Sequence, residues 1–365
     1  MRGKPQTKHH SIARVIRDAS PDFILFSGDM IYHNEFGQFL EVINRNYGKE
    51  KMIPLYPVIG NHELIFGEKV DILIEKISKE MAAAHNAQGQ LSPHSKPADN
   101  VLLLWNELFQ KLASFTEKEL KLRSRQVLCE EIRDKLNPSY ALYLREVLAK
   151  TTEQQSWYSF MKEVDGLKIQ FIALNSSLPD DEEQYQWFLN RLKQFSGPKI
   201  IFGHYPFYSI GFHGCTDLLN SASQAARFRD RYAAICNDIA HNVALVISGH
   251  EHNYQRFSKV DKTGQVQLPV YLVSGGGGAR LSGQGRCDTS KIPLDGFQCI
   301  MLTPAYHFVE IVASSDNRKN VRLHCKVLGL RHDVTTNVPE DDAFARQFVK
   351  NNLEIIDEFT LGLHK

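Results

Sequence analysis

Asp29, Asn61, His204, His250 and His252 are the residues whose types could do chemistry together. They offer one carboxylate, one amide and three imidazoles, with no thiolate among them. That donor set suits Mn, Fe or Zn better than a soft copper site. An aspartate can bridge two ions through its two oxygens. His250 and His252 are two residues apart, so extended backbone projects both to the same side. They can share one ion or hold one each. Two ions about 3.5–4 Å apart can clamp a phosphate and generate a bound hydroxide. His62 directly follows Asn61, so it is held beside the site without needing to ligate. A histidine there can protonate a leaving alkoxide or stabilise phosphoryl charge.

The elements that must position these groups are short apolar runs that end in polar residues. Residues 23–26 precede Ser27-Gly28-Asp29, and residues 55–59 precede Gly60-Asn61-His62-Glu63. Residues 169–174 lead into Asn175-Ser176-Ser177, and 200–202 into Gly203-His204. Residues 243–247 lead into Ser248-Gly249-His250-Glu251-His252. Near-continuous apolar runs of this length are typical of strands buried on both faces. The polar residues follow the strand each time, at the end where open α/β sheets place their ligands. Taken singly, Gly28-Asp29 and Gly60-Asn61 are turn signals. Their repetition after buried-strand patterns, with compatible ligand types, carries the functional reading.

Helical spacing is clear over residues 11–19, through Ile12, Val15, Ile16 and Ala19, and over 183–195, through Tyr185, Phe188, Leu189 and Leu192. Such helices would cover the sheet faces. Residues 269–274, 305–313 and 321–327 read as late strands. Residues 68–155 are charged and helix-rich, with a polar stretch at 85–100, and read as a helical insertion. The segment 341–361 reads as a charged amphipathic helix. The domain expectation is therefore a domain over 1–330 interrupted by an insertion at 68–155, then a helical tail over 331–365.

Composition excludes several classes. A hydrophobic share of 42% and a charged share of 23% are those of a globular chain, not a disordered or fibrous one. A formal net charge of +1 argues against nucleic acid as a partner. No apolar run approaches the roughly 18 residues of a membrane helix. None of the six cysteines forms a C-x-x-C pair, and an even count leaves room for a disulfide. No signal peptide is legible in the chain as given, which makes the cytoplasm the default location, although an upstream leader would change that. Gly275–Gly278 follows an apolar run but is not a nucleotide-binding fingerprint, and reads as a backbone turn close to the site. Arg256 is either a phosphate contact or a structural arginine.

Together, Gly28-Asp29, Gly60-Asn61-His62-Glu63, Gly203-His204 and Gly249-His250-Glu251-His252 resemble the successive motifs of the calcineurin-like metallophosphoesterases. The resemblance covers most of the chain outside the insertion and tail. It implies an α/β fold of two mixed β-sheets packed as a sandwich flanked by helices. It also implies hydrolysis of phosphate esters at a dinuclear centre of Fe, Mn or Zn, with a metal-bound hydroxide as nucleophile. Carried over, Asp29 bridges the ions, Asn61, His204 and His250 hold one, and His252 helps hold the other. His62 is the acid or charge-stabilising histidine.

A finer resemblance is to the purple acid phosphatases, through Gly28-Asp29-Met30-Ile31-Tyr32. It implies Tyr32 as a ligand to a ferric ion; an aromatic side chain packed beside the site is the competing reading. His204-Tyr205-Pro206 and the segment 208–214 resemble a rim loop of this superfamily, which makes His213 a candidate substrate contact or a structural loop histidine. The family's first motif, an aspartate on a first strand, has no counterpart before Asp29. Its absence suggests a truncated start and leaves two alternatives to the hydrolase. One is a catalytically impaired metal-binding or interaction module. The other is a phosphodiesterase for nucleotides or lipid headgroups, which the same centre serves equally well. Substrate and oligomeric state are not legible.

Overall fold

The computed structural model describes residues 6–29, 53–62, 156–315, 321–331, 347–348 and 350–363. The expected insertion at 68–155, Tyr32 and Glu63 lie outside the described residues.

Helix α1 (Gln6–Ala19) turns Ile12, Val15 and Ile16 inward against Tyr306 and Leu330. It stops at Ser20, whose φ of 51° is left-handed, with Pro21 following to prevent continuation. The described strands are β1 (Ile24–Phe26), β2 (Leu55–Pro57), β3 (Tyr158–Val164), β4 (Leu167–Ala173), β5 (Lys199–Phe202) and β6 (Val243–Ser248). They continue with β7 (Tyr254–Val260), β8 (Val266–Ser274), β9 (Gln298–Thr303), β10 (Ala305–Ser315), β11 (Val321–Arg331) and β12 (Glu354–Leu363). Helix α2 (Glu182–Gln194) lies between β4 and β5, and α3 (Gln224–Asn237) between β5 and β6.

Seven strands form one mixed sheet in the order β3-β4-β5-β6-β8-β7-β9. Its centre, β4-β5-β6-β8, is parallel, which is why those strands read as nearly unbroken apolar runs. The flanking pairings β3–β4, β8–β7 and β7–β9 are antiparallel. β1 and β2 form a parallel pair, and β10-β11-β12 an antiparallel sheet.

The alternation along β4 sorts the two layers. Ile169, Phe171 and Ala173 face a core shared with Val58 and with Val321, Leu323, Cys325 and Leu361 of the three-stranded sheet. Ile172 and Leu174 face the opposite way, onto Phe188 and Leu192 of α2 and Phe228 and Tyr232 of α3. The β1–β2 pair is stitched to β3 by aromatic packing. Tyr56 stacks on Phe160 with ring centres 3.7 Å apart, and the Tyr158 hydroxyl donates to the Pro57 carbonyl. The architecture is thus the expected one: a large mixed sheet, further sheets packed against it, and helices on the outer face.

Local chemistry explains the helices. The Asp181 side chain accepts from the Gln184 amide at the start of α2. Glu182 and Glu183 fill its first turn and Arg191 and Lys193 its last, matching the helix dipole at both ends. Ser223 caps α3 in the same way.

The tail departs from expectation. Among the described residues it is helical only at 347–348 and 350–352, and Glu354–Leu363 is a strand paired with β11. Leu353, Ile356 and Phe359 are spaced three apart and imitate a helix face. The inward positions are instead Asp357, Phe359, Leu361 and Leu363, a strand period hidden by the acidic first member. Arg256 also finds its place here. Its side chain is largely buried, with Nε and a terminal nitrogen donating to Asp357 at 2.6 and 3.1 Å, so it is structural and not a phosphate contact.

His307 is buried where β10 meets the glycine turn after β8. Its Nδ1 donates to the Ala305 carbonyl, and its Nε2 lies 3.1 Å from the Ser274 hydroxyl. Burial pushes it from its ordinary 6.5 down to about 4. Below pH 6.5 the unfolded chain therefore takes up a proton that the folded chain refuses. Stability from this group is intact above that pH and falls as pH drops, reaching a loss of about 3 kcal/mol near pH 4. Urea midpoints for wild type and His307→Gln should converge as pH is lowered from 7 to 4.5. A difference independent of pH would show that His307 is not held neutral.

Candidate metal centre

The ends of β1, β2, β5 and β6 meet at one point. Asp29 follows β1, Asn61 and His62 follow β2, His204 follows β5 and His250 follows β6. The chain must turn sharply at each. Asp29 and His250 both adopt left-handed backbone, with φ of 57° and 67°. Such conformations cost non-glycine residues on the order of 1–3 kcal/mol and cluster at functional sites. Gly28 has φ of 89°, and a side chain there would press on His204 Nδ1 at 2.7 Å and on the Gly60 nitrogen at 2.8 Å. Only glycine lets β1 and β2 deliver their loops so close to His204.

The donor atoms converge. His204 Nε2 lies 2.9 Å from Asn61 Oδ1 and 3.4 Å from Asp29 Oδ2. His250 Nδ1 lies 3.1 Å from Asn61 Oδ1 and 3.2 Å from His204 Nε2. The outer ring nitrogens are already committed. His204 Nδ1 donates to the Ser27 carbonyl at 2.8 Å, and His250 Nε2 to Asp217 Oδ2 at 2.8 Å. A neutral imidazole has one N–H. With those protons directed outward, the inner nitrogens of His204 and His250, the Asn61 carbonyl and the Asp29 carboxylate face a common point, where a proton on His204 Nε2 pairs with Asp29 and a cation would take that proton's place. A cation is the natural way to satisfy such a group, and this oxygen and imidazole set fits Fe, Mn or Zn.

The residues matched by the sequence pattern of the calcineurin-like phosphoesterases, 7–254, run from α1 to the first residue of β7 and take in all four turns. The chain belongs to the calcineurin-like phosphoesterase family. Among solved structures it is similar to the purple acid phosphatase PPD1 from yellow lupin (Lupinus luteus) seeds. The identity is 15% and the TM-score 0.53, over 96% of this chain and 48% of that one. It is also similar to the structure of PhoD, at 13% identity and a TM-score of 0.44, over 88% of this chain and 63% of that one. The lupin likeness speaks to fold, and the chain spans about half that protein's length, 48%. No curated protein sequence matches.

The electrostatics favour an ionised Asp29 carboxylate, with His250 and His252 held toward their neutral forms. Burial alone would raise the Asp29 carboxyl, but His204 and the His62 backbone amide, which donates to Oδ1 at 3.0 Å, hold it well below the usual range. Burial pushes His250 down to about 4 and lowers His252. His252 stands apart from the tight cluster; its Nδ1 donates to the Arg280 carbonyl at 2.8 Å. It lines a cavity of about 920 Å³ together with Asp29 and His250. That cavity runs beside β1, and Phe171, Phe202 and Ile311 line its apolar side.

His213 lies on the rim, its ring 4.1 Å from that of His250 and 6.4 Å from that of His252. Tyr32 lies outside the described residues.

Sequence reasoning passes over three features of the rim. Asp217 Oδ2 receives His213 Nδ1 at 3.1 Å as well as His250. Its only sequence signal is the spacing of four between His213 and Asp217. Glu251 is fully buried beneath the rim, accepting from the Ser209 hydroxyl and the Gly214 amide, each at 2.7 Å. Burial keeps its carboxyl raised above the ordinary value. A disulfide joins Cys215 to Cys287, across a separation that no spacing rule reveals.

Proposed function

We propose that this chain is a metal-dependent hydrolase of phosphate esters, with two ions drawn from Fe, Mn and Zn. The supporting observation is the convergence of donor atoms from Asp29, Asn61, His204 and His250, with the outer ring nitrogens of the two histidines already tied to the Ser27 carbonyl and to Asp217. Asp29 would be shared by the two ions, Asn61, His204 and His250 would hold one, and His252 would serve the other, with Tyr32 as a further ligand. When bound, such ions supply Lewis acidity toward phosphoryl oxygen and activate water.

The protein's own groups do the rest. Asn61 presents a neutral oxygen, which would leave an ion held there more Lewis-acidic than a second carboxylate would. The His62 backbone is tied to Asp29, so its side chain is delivered beside the centre, where it donates a proton to the leaving oxygen. His213 on the rim contacts the substrate phosphate. The Cys215–Cys287 disulfide favours an oxidising compartment over the cytoplasmic default. No helix among the described residues is long and apolar enough to cross a membrane.

The test is hydrolysis of p-nitrophenyl phosphate and bis-p-nitrophenyl phosphate after chelation, then with Mn, Fe or Zn restored. Activity should vanish on chelation and return with metal, and the ratio of the two rates should separate monoesterase from diesterase. Undiminished activity in the metal-stripped protein would overturn the reading, as would silence toward both esters in a folded, metal-loaded protein. His62→Ala should lower kcat by about 10²–10⁴-fold with metal content unchanged. Metal lost together with activity in that variant would instead make His62 a ligand.

A further inference from the structure

The three histidines of the centre anchor their outer nitrogens differently. His204 and His252 each donate Nδ1–H to a backbone carbonyl, of Ser27 and Arg280 respectively. His250 donates Nε2–H to a carboxylate, Asp217 Oδ2, at 2.8 Å. The same oxygen receives His213 Nδ1 at 3.1 Å. We propose that Asp217 is a positioning residue with two duties: it fixes His250 in the Nε2–H tautomer, with Nδ1 turned to the ion, and it yokes the rim histidine His213 to that ligand. This rests on the proposed role of His250 as a metal ligand.

The geometry around Asp217 supports a fixed role. It lies in a π-helical turn (Gly214–Leu218), an irregularity often found at functional sites. Its second oxygen, Oδ1, accepts from the Thr216 hydroxyl at 2.8 Å, and its carbonyl from the Ser223 hydroxyl at 2.6 Å. The turn is held from below, where Glu251 takes the Gly214 amide, and from the side, where Cys215 is bonded to Cys287. A carboxylate behind a ligating imidazole fixes its tautomer and orientation and raises its basicity. Here one carboxylate serves a ligand and a substrate-side histidine at once. Losing it should therefore disturb two separable quantities.

The experiment titrates Zn(II) and Mn(II) into metal-stripped protein by calorimetry, with kcat and KM measured alongside. Wild type, Asp217→Asn, Asp217→Ala and His213→Ala are compared, each checked for native circular dichroism. In Asp217→Ala, affinity at one class of site should fall by about 10–100-fold, and KM should rise. Asp217→Asn, which keeps an acceptor oxygen, should fall between wild type and Asp217→Ala, and it carries the test if the alanine variant does not fold. His213→Ala should raise KM with metal affinity at the wild-type level. Wild-type affinity at both sites in both Asp217 variants would overturn the proposal while leaving the metal centre standing. A wild-type protein that takes up no metal would overturn the centre itself, and this inference with it.

Discussion

Asp29→Asn is expected to lower phosphoesterase turnover on the order of a thousandfold and to reduce bound metal at the same time. The substitution is nearly isosteric. The φ of 57° at this position is kept, because Asn tolerates left-handed backbone. An Asn Oδ1 can still accept the His62 amide that Asp29 Oδ1 accepts at 3.0 Å. What disappears is the negative charge and the second anionic oxygen, which lies 3.4 Å from His204 Nε2. Asp29 is the only anionic member of the donor group formed with Asn61, His204, His250 and His252. Without it, the cations of the proposed centre would have only neutral amide and imidazole donors from this group. Metal ions supply several kcal/mol of transition-state stabilisation in such reactions, which corresponds to about three decades in rate. Elemental analysis of the purified variant and p-nitrophenyl phosphate kinetics check the two halves separately. Full turnover in a metal-depleted Asp29→Asn protein would exclude Asp29 from the catalytic centre.

The ligand candidates are legible because each is announced locally. An apolar run long enough for a buried strand ends in glycine or serine, and the next residue is Asp, Asn or His. Parallel strands β4, β5 and β6 must carry such runs, since both of their faces are covered. The rim is less legible because its logic is tertiary. Asp217 acquires its role only when β6 brings His250 to it from 33 residues away. Glu251 lies between two histidines that look like ligands, and nothing in its neighbours predicts that it points down to hold Ser209 and Gly214. Among the strands, β7 and β12 are hard to see in the sequence for a shared reason. Each carries polar residues at buried positions, Gln255 in one and Asp357 in the other, and buried polar residues erase the apolar period.

That shared feature leads to the largest expected effect on stability. Asp357 on β12 is buried, and it receives three hydrogen bonds from β7. The Tyr254 hydroxyl donates at 2.7 Å, and Arg256 donates at 2.6 and 3.1 Å. Arg256 also lies over the Phe359 ring, 4.7 Å from its centre. This polar knot joins the seven-stranded sheet to the three-stranded one through an otherwise apolar interface. Asp357→Ala would leave a largely buried guanidinium without its counter-charge and a buried phenol without its acceptor. Breaking a buried pair from one side costs about 3–5 kcal/mol, far more than an exposed ion pair contributes. Replacing the whole knot should be milder, because Asp357→Leu combined with Arg256→Met and Tyr254→Phe strands no polar group. Urea unfolding should therefore rank the proteins as wild type, then the triple variant, then Asp357→Ala as least stable. Asp357 itself is on β12, which carries none of the candidate ligands, so metal content of folded Asp357→Ala should match wild type. An Asp357→Ala protein within about 1 kcal/mol of wild type would mean that water reaches Arg256 and that the two sheets do not depend on this contact.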